Sequence, residues 1–184
     1  MTVDEKLVEK KVKSTEIYDG KLLHVFSDEV ELPNGRHSSR EYIKHNGAVG
    51  IVPLTENGEV IYVKQYRYPI DKVTVEIPAG KIDPGEEKFA AAQRELKEET
   101  GLTAGKWTYL GSLFPSVAYT TEVIHLYLAQ DLKSGKQRLD EDEFLNVYKM
   151  KLSEFTDKVM NNEICDSKTE IAILKTAKLT GNEK

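Results

Sequence analysis

The acidic side chains best suited to chemistry stand at helical spacing in the middle of the sequence. Glu95, Glu98 and Glu99 occupy positions i, i+3 and i+4 in a run of good helix formers, so a helix places all three carboxylates on one face. Carboxylate oxygens are the hard ligands that Mg²⁺ and Mn²⁺ prefer, and such ions commonly engage substrate phosphates as well. The spacing therefore favours a divalent-metal phosphate site, and the plainer alternative is a solvated acidic face.

The neighbouring residues predict the elements that position this acidic face. Residues 81–85 end in Pro84-Gly85 and are typical of a turn. Glu86 and Glu87 suit the first turn of the following helix, where negative charge is favoured, and Gly101 suits its end. The apolar residues of another helix face, which we expect to pack against a core, are Phe89, Ala92 and Leu96.

Residues 80–102 resemble the Nudix box, G-x5-E-x7-R-E-U-x-E-E-x-G-U, in which U is an aliphatic residue. The specified positions are all filled, by Gly80, Glu86, Arg94, Glu95, Leu96, Glu98, Glu99, Gly101 and Leu102. The resemblance implies a hydrolase of phosphoanhydride bonds that uses Mg²⁺, with Mn²⁺ as a substitute and two or more ions in the site. It also implies an α+β fold, an α/β/α sandwich with a mixed β-sheet, and the alternation of strands and helices along the chain predicts the same class.

The resemblance assigns roles to the residues of the box and to the turn before it. Arg94 is expected to orient a glutamate through a charge-assisted hydrogen bond, and with Glu98 it belongs to the predicted catalytic group. The implied metal ligands are Glu95, Glu98, Glu99, the carbonyl of Ala79 and, in an outer position, Glu86.

A general base is expected outside the box. A water molecule that attacks phosphorus must lose a proton, and a positioned carboxylate can accept it. The family places such a base on a late loop, where Glu141 and Glu143 match, and the position directly before Phe144 favours Glu143. A solvated acidic loop is the alternative.

Several stretches outside the box resemble the ADP-ribose (ADP-sugar) pyrophosphatases. They imply Mg²⁺-dependent hydrolysis of ADP-ribose to AMP and ribose 5-phosphate. That family usually carries Ser-Pro-Gly-Phe where this chain reads Ser116-Val117-Ala118-Tyr119, so another nucleotide sugar or a dinucleotide remains an alternative substrate. A nucleotide-binding domain without activity is a third possibility. The stretches that carry the resemblance are residues 44–49, 63–67, 75–80, 140–144 and 163–169.

Four residues are predicted to contact the substrate. Arg40 and Arg67 are candidate phosphate ligands, because a guanidinium group can donate to two oxygens at once. Tyr42 is a candidate for stacking on adenine, although aromatic residues in β-ribbons more often belong to a core or an interface. The resemblance adds Glu76 to this group.

The chain is predicted to consist of two parts. Residues 1–45 form an N-terminal antiparallel β-ribbon, and residues 46–184 form the hydrolase domain. An isolated ribbon is marginal in water, so it must pack on the main domain or on a partner subunit. The resemblance implies that it crosses to a second subunit and helps to form the adenine pocket, which predicts a homodimer with two-fold symmetry.

Composition excludes several classes of protein. A net charge of −5 in 184 residues argues against binding to nucleic acid through bulk electrostatics. The sequence has neither an apolar run of transmembrane length nor the apolar segment of a signal peptide near its N-terminus. Cys165 is the only cysteine, so we expect a reducing, cytoplasmic location. The resemblance implies a small nucleoside diphosphate derivative as the partner.

Local patterns predict three further elements. Asn57-Gly58 between apolar residues 48–54 and 60–66 is typical of a β-hairpin. Ser153 is expected to cap a short helix, and a last helix is expected to begin at a cap at residue 166 or 167. The expected buried stripe of that last helix is Ile171, Leu174 and Ala177.

Overall fold

The computed structural model describes residues 4–139, 141 and 143–181. These form two compact units, Met1–Asn46 with Ser116–Glu122, and Gly47–Pro115 with Val123–Lys184. Within the described ranges, none of the helices has the length and apolar character needed to cross a membrane.

The first unit is built on a three-stranded antiparallel sheet in the order β1-β2-β3. Its strands are β1 (Lys10–Asp19), β2 (His24–Glu31) and β3 (His37–Lys44). All ten residues of β1 are exposed, including the apolar Val12, Ile17 and Tyr18. The N-terminal antiparallel strands predicted from the sequence are confirmed, and they form a three-stranded sheet.

The described residues of the second unit form two sheets and three α-helices. A four-stranded sheet has the order β7-β4-β9-β8 and pairs β4 with β9 in parallel, while a three-stranded antiparallel sheet has the order β10-β5-β6. The strands are β4 (Ala48–Pro53), β5 (Glu59–Arg67), β6 (Lys72–Glu76), β7 (Ala79–Lys81), β8 (Leu102–Leu113), β9 (Ile124–Ser134) and β10 (Leu145–Lys151). The helices are α1 (Lys88–Thr100), α2 (Leu152–Met160) and α3 (Ser167–Thr180).

Strand β4 is buried on both faces, and its successive side chains belong alternately to two different cores. Val49 and Ile51 pack with the buried face of α1, whereas Ala48 and Val52 belong to the larger core that includes residues of α2 and α3. A strand with helices on both sides loses the usual polar face, which explains its continuous apolar sequence. The predicted α+β sandwich with a mixed sheet is therefore confirmed.

The prediction of a hairpin at Asn57-Gly58 is wrong in its pairing. Gly58 has a φ of 71° and turns the chain, but β4 and β5 lie in different sheets and share only the bridge between Leu54 and Val60. Strand β4 already pairs with β7 on one edge and with β9 on the other, so β5 has no edge of β4 available.

Helix boundaries follow the capping rules with two corrections. Helix α1 begins at Lys88 and ends at Gly101, whose φ is 72°, so Glu86 lies in the preceding turn rather than in the helix. Helix α2 is preceded by Lys151 as its cap residue, and Ser153 lies inside the helix and not at its cap. Asp166 caps α3 as predicted, by accepting a hydrogen bond from the backbone N–H of Thr169.

The stripe expected on α3 is wrong in part. Leu174 is 39% exposed, and Ile171 is half-buried, whereas Ala177 is buried as predicted. The buried face instead includes Ala172 and Ile173, which pack in the larger core with residues of β4 and β9. Its buried residues are Lys168, Thr169, Ala172, Ile173, Thr176 and Ala177.

Candidate active site

The carboxylate of Glu95 occupies the space beside Gly80 in β7 that a side chain at position 80 would need. A Cβ atom on Gly80 would lie 2.0 Å from the carboxylate carbon of Glu95. The carboxylate of Glu95 is therefore held against the backbone of β7, at the point where the chain leaves the sheet for the turn. This close approach explains the glycine that opens the box.

Glu99 is the most deeply buried acid of α1. It is 2% exposed and accepts one hydrogen bond, of 3.0 Å, from the backbone N–H of Ala79. Burial raises the pKa of Glu99 to about 8, with the negative charges of Glu143 and Glu95 adding to the increase, although the hydrogen bond from Ala79 opposes it. A buried carboxylate surrounded by like charge attracts a cation or a proton.

Arg94 hydrogen-bonds three of the carboxylates in the box. Its Nε and Nη2 each donate to Glu86 at 2.9 Å, and its Nη1 donates to Glu95 at 2.6 Å and to Glu98 at 3.0 Å. A further bond of 3.0 Å from Nη2 to the carbonyl of Lys81 ties the same guanidinium to the turn. The sequence predicted a single carboxylate partner for Arg94, and its position amid the glutamates gives it three.

The pKa values of the carboxylates at the two ends of this acidic group shift in opposite directions. The hydrogen bonds from Arg94 lower the pKa of Glu86. Burial raises the pKa of Glu95, with the charges of Glu98 and Glu143 adding to it, although Arg94 acts in the opposite direction. The acids nearest the sheet thus hold protons more tightly than the acid in the turn.

The candidate bases on the late loop are placed differently. The negative charge of Glu143 raises the pKa of both Glu95 and Glu99, so Glu143 lies on the same side as the acidic face of α1. Glu143 is half-buried and Glu141 is exposed. Asp140 and Asp142, which belong to the same predicted stretch, lie outside the described residues.

The donor set suits a hard divalent cation. Glu86, Glu95, Glu98 and Glu99 offer carboxylate oxygens, and Arg94 alone cannot neutralise them. In the described part of the chain, the three-residue group whose ligand atoms all lie within 4.8 Å of one another is Glu16, Asp19 and His24, in the first unit. The glutamates of α1 are more widely spaced, with Arg94 hydrogen-bonded among them.

Arg67 and Glu76, both predicted to bind substrate, form a bidentate pair. The Nε and Nη2 of Arg67 donate to the two carboxylate oxygens of Glu76 at 2.7 Å each, and Glu76 is 2% exposed. Burial opposes ionisation of Glu76, but hydrogen bonds from Arg67, Lys168 and Thr74 outweigh it and lower the pKa of Glu76 to about 2. Glu76 is therefore a charged anchor inside the protein.

Sequence reasoning missed Lys168, which donates to Glu76 at 2.5 Å and to Asp166 at 2.9 Å. A signal for it was present in the sequence. Lys168 is the second residue of α3, and a positive charge is unfavourable in the first turn of a helix unless an acid is bound there.

The two predicted substrate ligands of the first unit are engaged within that unit. Arg40 forms an ion pair with Glu9 and donates to the carbonyl of Ser39 at 2.8 Å. The ring of Tyr42 stacks on Phe26 with centroids 5.7 Å apart, and its hydroxyl lies 3.3 Å from Asp28.

This chain is similar to known families both across the box and across the N-terminal sheet. A family profile described as NUDIX domain matches residues 44–166, and one described as nucleoside diphosphate sugar hydrolase N-terminal domain matches residues 9–43. A solved structure, described as a crystal structure of ADP compounds hydrolase, is 26% identical and covers 95% of each chain with a TM-score of 0.84.

Two curated relatives match over most of their length. The ADP-ribose pyrophosphatase of Bacillus subtilis (strain 168) is 43% identical over 169 residues, which is 91% of each chain. The methanol dehydrogenase activator of Bacillus methanolicus is 41% identical over 167 residues, which is 90% of each chain. With the complete box on α1 and β7, these matches place the chain in the Nudix family of hydrolases that cleave pyrophosphate bonds.

Proposed function

We propose that the chain hydrolyses ADP-ribose to AMP and ribose 5-phosphate and depends on Mg²⁺, for which Mn²⁺ can substitute. The observation that carries the proposal is the 43% identity to an ADP-ribose pyrophosphatase over 91% of both chains, in a sequence that keeps every charged position of the box. The buried Glu99, with its pKa raised to about 8, supports a cation at this place.

The acidic face of α1 would hold the metal. When bound, a divalent cation neutralises phosphate oxygens and makes phosphorus a better electrophile. Arg94 keeps Glu86, Glu95 and Glu98 in place from one side, and the N–H of Ala79 keeps Glu99 in place from the other. The proposed ligands are Glu95, Glu98, Glu99 and the carbonyl of Ala79, with Glu86 in an outer position.

Glu143 is the proposed general base, with Glu141 as the alternative. The charge of Glu143 raises the pKa of Glu95 and of Glu99. Glu143 would therefore accept a proton from the attacking water beside the proposed metal ligands. Arg67 is the proposed phosphate ligand of the same unit, because its side chain is 44% exposed while its partner Glu76 is buried.

Two other functions have specific support. Ser116-Val117-Ala118-Tyr119 stands where the ADP-ribose pyrophosphatases usually carry Ser-Pro-Gly-Phe. Other nucleotide sugars and dinucleotides are therefore alternative substrates to be assayed. The 41% identity to the methanol dehydrogenase activator of Bacillus methanolicus favours a test of activation of an alcohol dehydrogenase. Binding of nucleotides without turnover is the remaining alternative.

We further propose a cytoplasmic homodimer assembled through the N-terminal sheet, with Arg40 and Tyr42 near the substrate of the partner subunit. All ten residues of β1 are exposed in the single chain, and Val12, Ile17 and Tyr18 are each more than half exposed. Exposed apolar side chains on a long edge strand favour coverage by a second copy of the chain.

The substrate proposal predicts the outcome of an assay with a panel of nucleoside diphosphate derivatives. With Mg²⁺ present, we expect ADP-ribose to give the highest kcat/KM and to release AMP and ribose 5-phosphate, measured by chromatography of the products. EDTA should abolish turnover. A higher kcat/KM for another nucleotide sugar or a dinucleotide would replace ADP-ribose as the substrate, and no turnover of any derivative would favour a binding protein.

Glu99→Gln should lower activity and yet raise stability without metal. Loss of a ligand should reduce kcat at saturating Mg²⁺ by about 10²-fold or more, beyond what loss of an outer partner usually costs. The raised pKa of Glu99 means that its ionisation destabilises the fold progressively from about pH 4.5 up to about pH 8, and is fully destabilising above that value.

In EDTA, Glu99→Gln should therefore raise Tm by a few degrees, more at pH 8.5 than at pH 6, since 1 kcal/mol corresponds to roughly 2–4 °C in a chain of this size. Glu56→Gln, at an exposed turn position, is the matched control and should change neither quantity. A Glu99→Gln protein with normal kcat would show that Glu99 is not a ligand.

Glu143→Gln should lower kcat by about 10²–10⁴-fold with a smaller change in KM, because a base acts in the transition state. The matched variant Glu141→Gln, on the same loop but exposed, should keep most of the activity. The reverse pattern of kcat values would assign the base to Glu141.

The assembly proposal predicts a sedimenting mass of twice 20.8 kDa for the full chain. Deleting residues 1–42 removes β1, β2 and most of β3, so a soluble product should be monomeric and should have a strongly raised KM. A full chain that stays monomeric at micromolar concentration, or a truncated chain with unchanged KM, would contradict the assembly.

A further inference from the structure

We propose that Lys168 is a positioning residue that holds Arg67, through Glu76, in the orientation that binds a substrate phosphate. The inference rests on the proposed pyrophosphatase function and adds to it a residue from α3. The group of side chains involved, Arg67, Glu76, Asp166 and Lys168, is called the α3 ion group below.

Lys168 joins two carboxylates that belong to different elements. Its ammonium group donates to Glu76 at the end of β6 and to Asp166 at the cap of α3, and the residue is only 8% exposed. Asp166 also accepts hydrogen bonds from the N–H and the hydroxyl of Thr169, and that hydroxyl accepts a bond of 2.9 Å from the N–H of Ile77. The carboxylate of Glu76 is thus fixed from the helix side.

Arg67 is fixed by Glu76 and remains open at its far end. Its Nε and Nη2 are both engaged by the carboxylate, so the guanidinium plane is set by the plane of that carboxylate. The Arg67 side chain is 44% exposed, whereas that of Glu76 is 3% exposed. The Nη1 end is therefore the part of Arg67 that can meet an anion from solvent.

The α3 ion group lies within electrostatic reach of the acidic face of α1. Glu76 lies three residues before Ala79, whose backbone N–H donates to the carboxylate of Glu99 at 3.0 Å, so a short stretch of chain joins the two groups. An anion bound to Arg67 would consequently lie near the proposed metal ligands, as a pyrophosphate that bridges both must.

Stability alone does not require a lysine at this position. Replacing a buried ion pair with well-packed apolar residues is often neutral or stabilising, because desolvation of the charges offsets their attraction. The second position of a helix also disfavours a positive charge. Asp166 and Glu76 offset that helix penalty for Lys168, and its bond to the partner of an exposed arginine is explained by the orientation that it gives to Arg67.

Lys168→Met tests this role, and Lys175→Met is its matched control. Lys175 lies on the same helix and donates to the carbonyl of Leu110 at 2.7 Å, so its loss removes a tertiary hydrogen bond without touching the α3 ion group. With the best substrate of the panel, Lys168→Met should raise KM by about tenfold, the order of one charge-assisted hydrogen bond, and change kcat by less than about threefold. Lys175→Met should leave both constants near the wild-type values.

A double-mutant cycle with Arg67→Ala separates positioning from structure. If Lys168 acts through Arg67, adding Lys168→Met to Arg67→Ala should raise KM by less than about twofold further. Multiplicative effects on KM, or a lowered Tm with an unchanged KM in the folded single variant, would overturn the inference. If Lys168→Met does not fold, Lys168→Gln, which keeps a donor for Glu76 and removes the charge, is measured in the same cycle.

The wild-type assay distinguishes failure of this inference from failure of the proposed function. A wild-type chain that turns over no nucleoside diphosphate derivative overturns the proposed function and the inference together. An active wild type with an independent effect of Lys168→Met overturns the inference alone.

Discussion

Burial of the Glu99 carboxylate beside other acids is the constraint on which the rest of the site depends. Removing a carboxylate from water opposes its ionisation, and Glu95 and Glu143 add like charge to the same place. One hydrogen bond from the N–H of Ala79 only partly compensates. Strand β7 and helix α1 must therefore stay in contact, and the glycine at position 80, which allows Glu95 to touch the strand, keeps that contact possible.

Two arginines bind the acids of this unit in different ways. Arg94 lies among Glu86, Glu95 and Glu98 and holds them in place from the helix side, so its own donors are already used. Arg67 is bound by a single carboxylate that is itself buried, and part of its guanidinium remains exposed. One arginine thus organises proposed metal ligands, and the other is available for substrate.

Much of the site could be predicted from the sequence because its chemistry depends on local spacing. Glu95, Glu98 and Glu99 share a face on any helix, and Gly101 ends α1 for conformational reasons that a sequence shows. Asp166 was found as a cap on the same grounds. The pairing of strands could not be predicted from local sequence. Strands β7 and β9, which come later in the chain, pair with the two edges of β4, and β5 lies in another sheet.

Lys168 marks the limit of prediction from spacing, since its partner Glu76 is 92 residues away in the sequence. A lysine near a helix start is ordinarily a solvated residue, and only the tertiary fold brings it to a buried carboxylate. The same fold brings Arg67 from β5 to that carboxylate, so three elements meet at one ionised side chain. Because the pKa of Glu76 is about 2, the carboxylate that holds Arg67 stays ionised throughout the pH range in which Glu99 titrates. The α3 ion group can therefore present Arg67 in one orientation while the protonation of the acidic face of α1 varies.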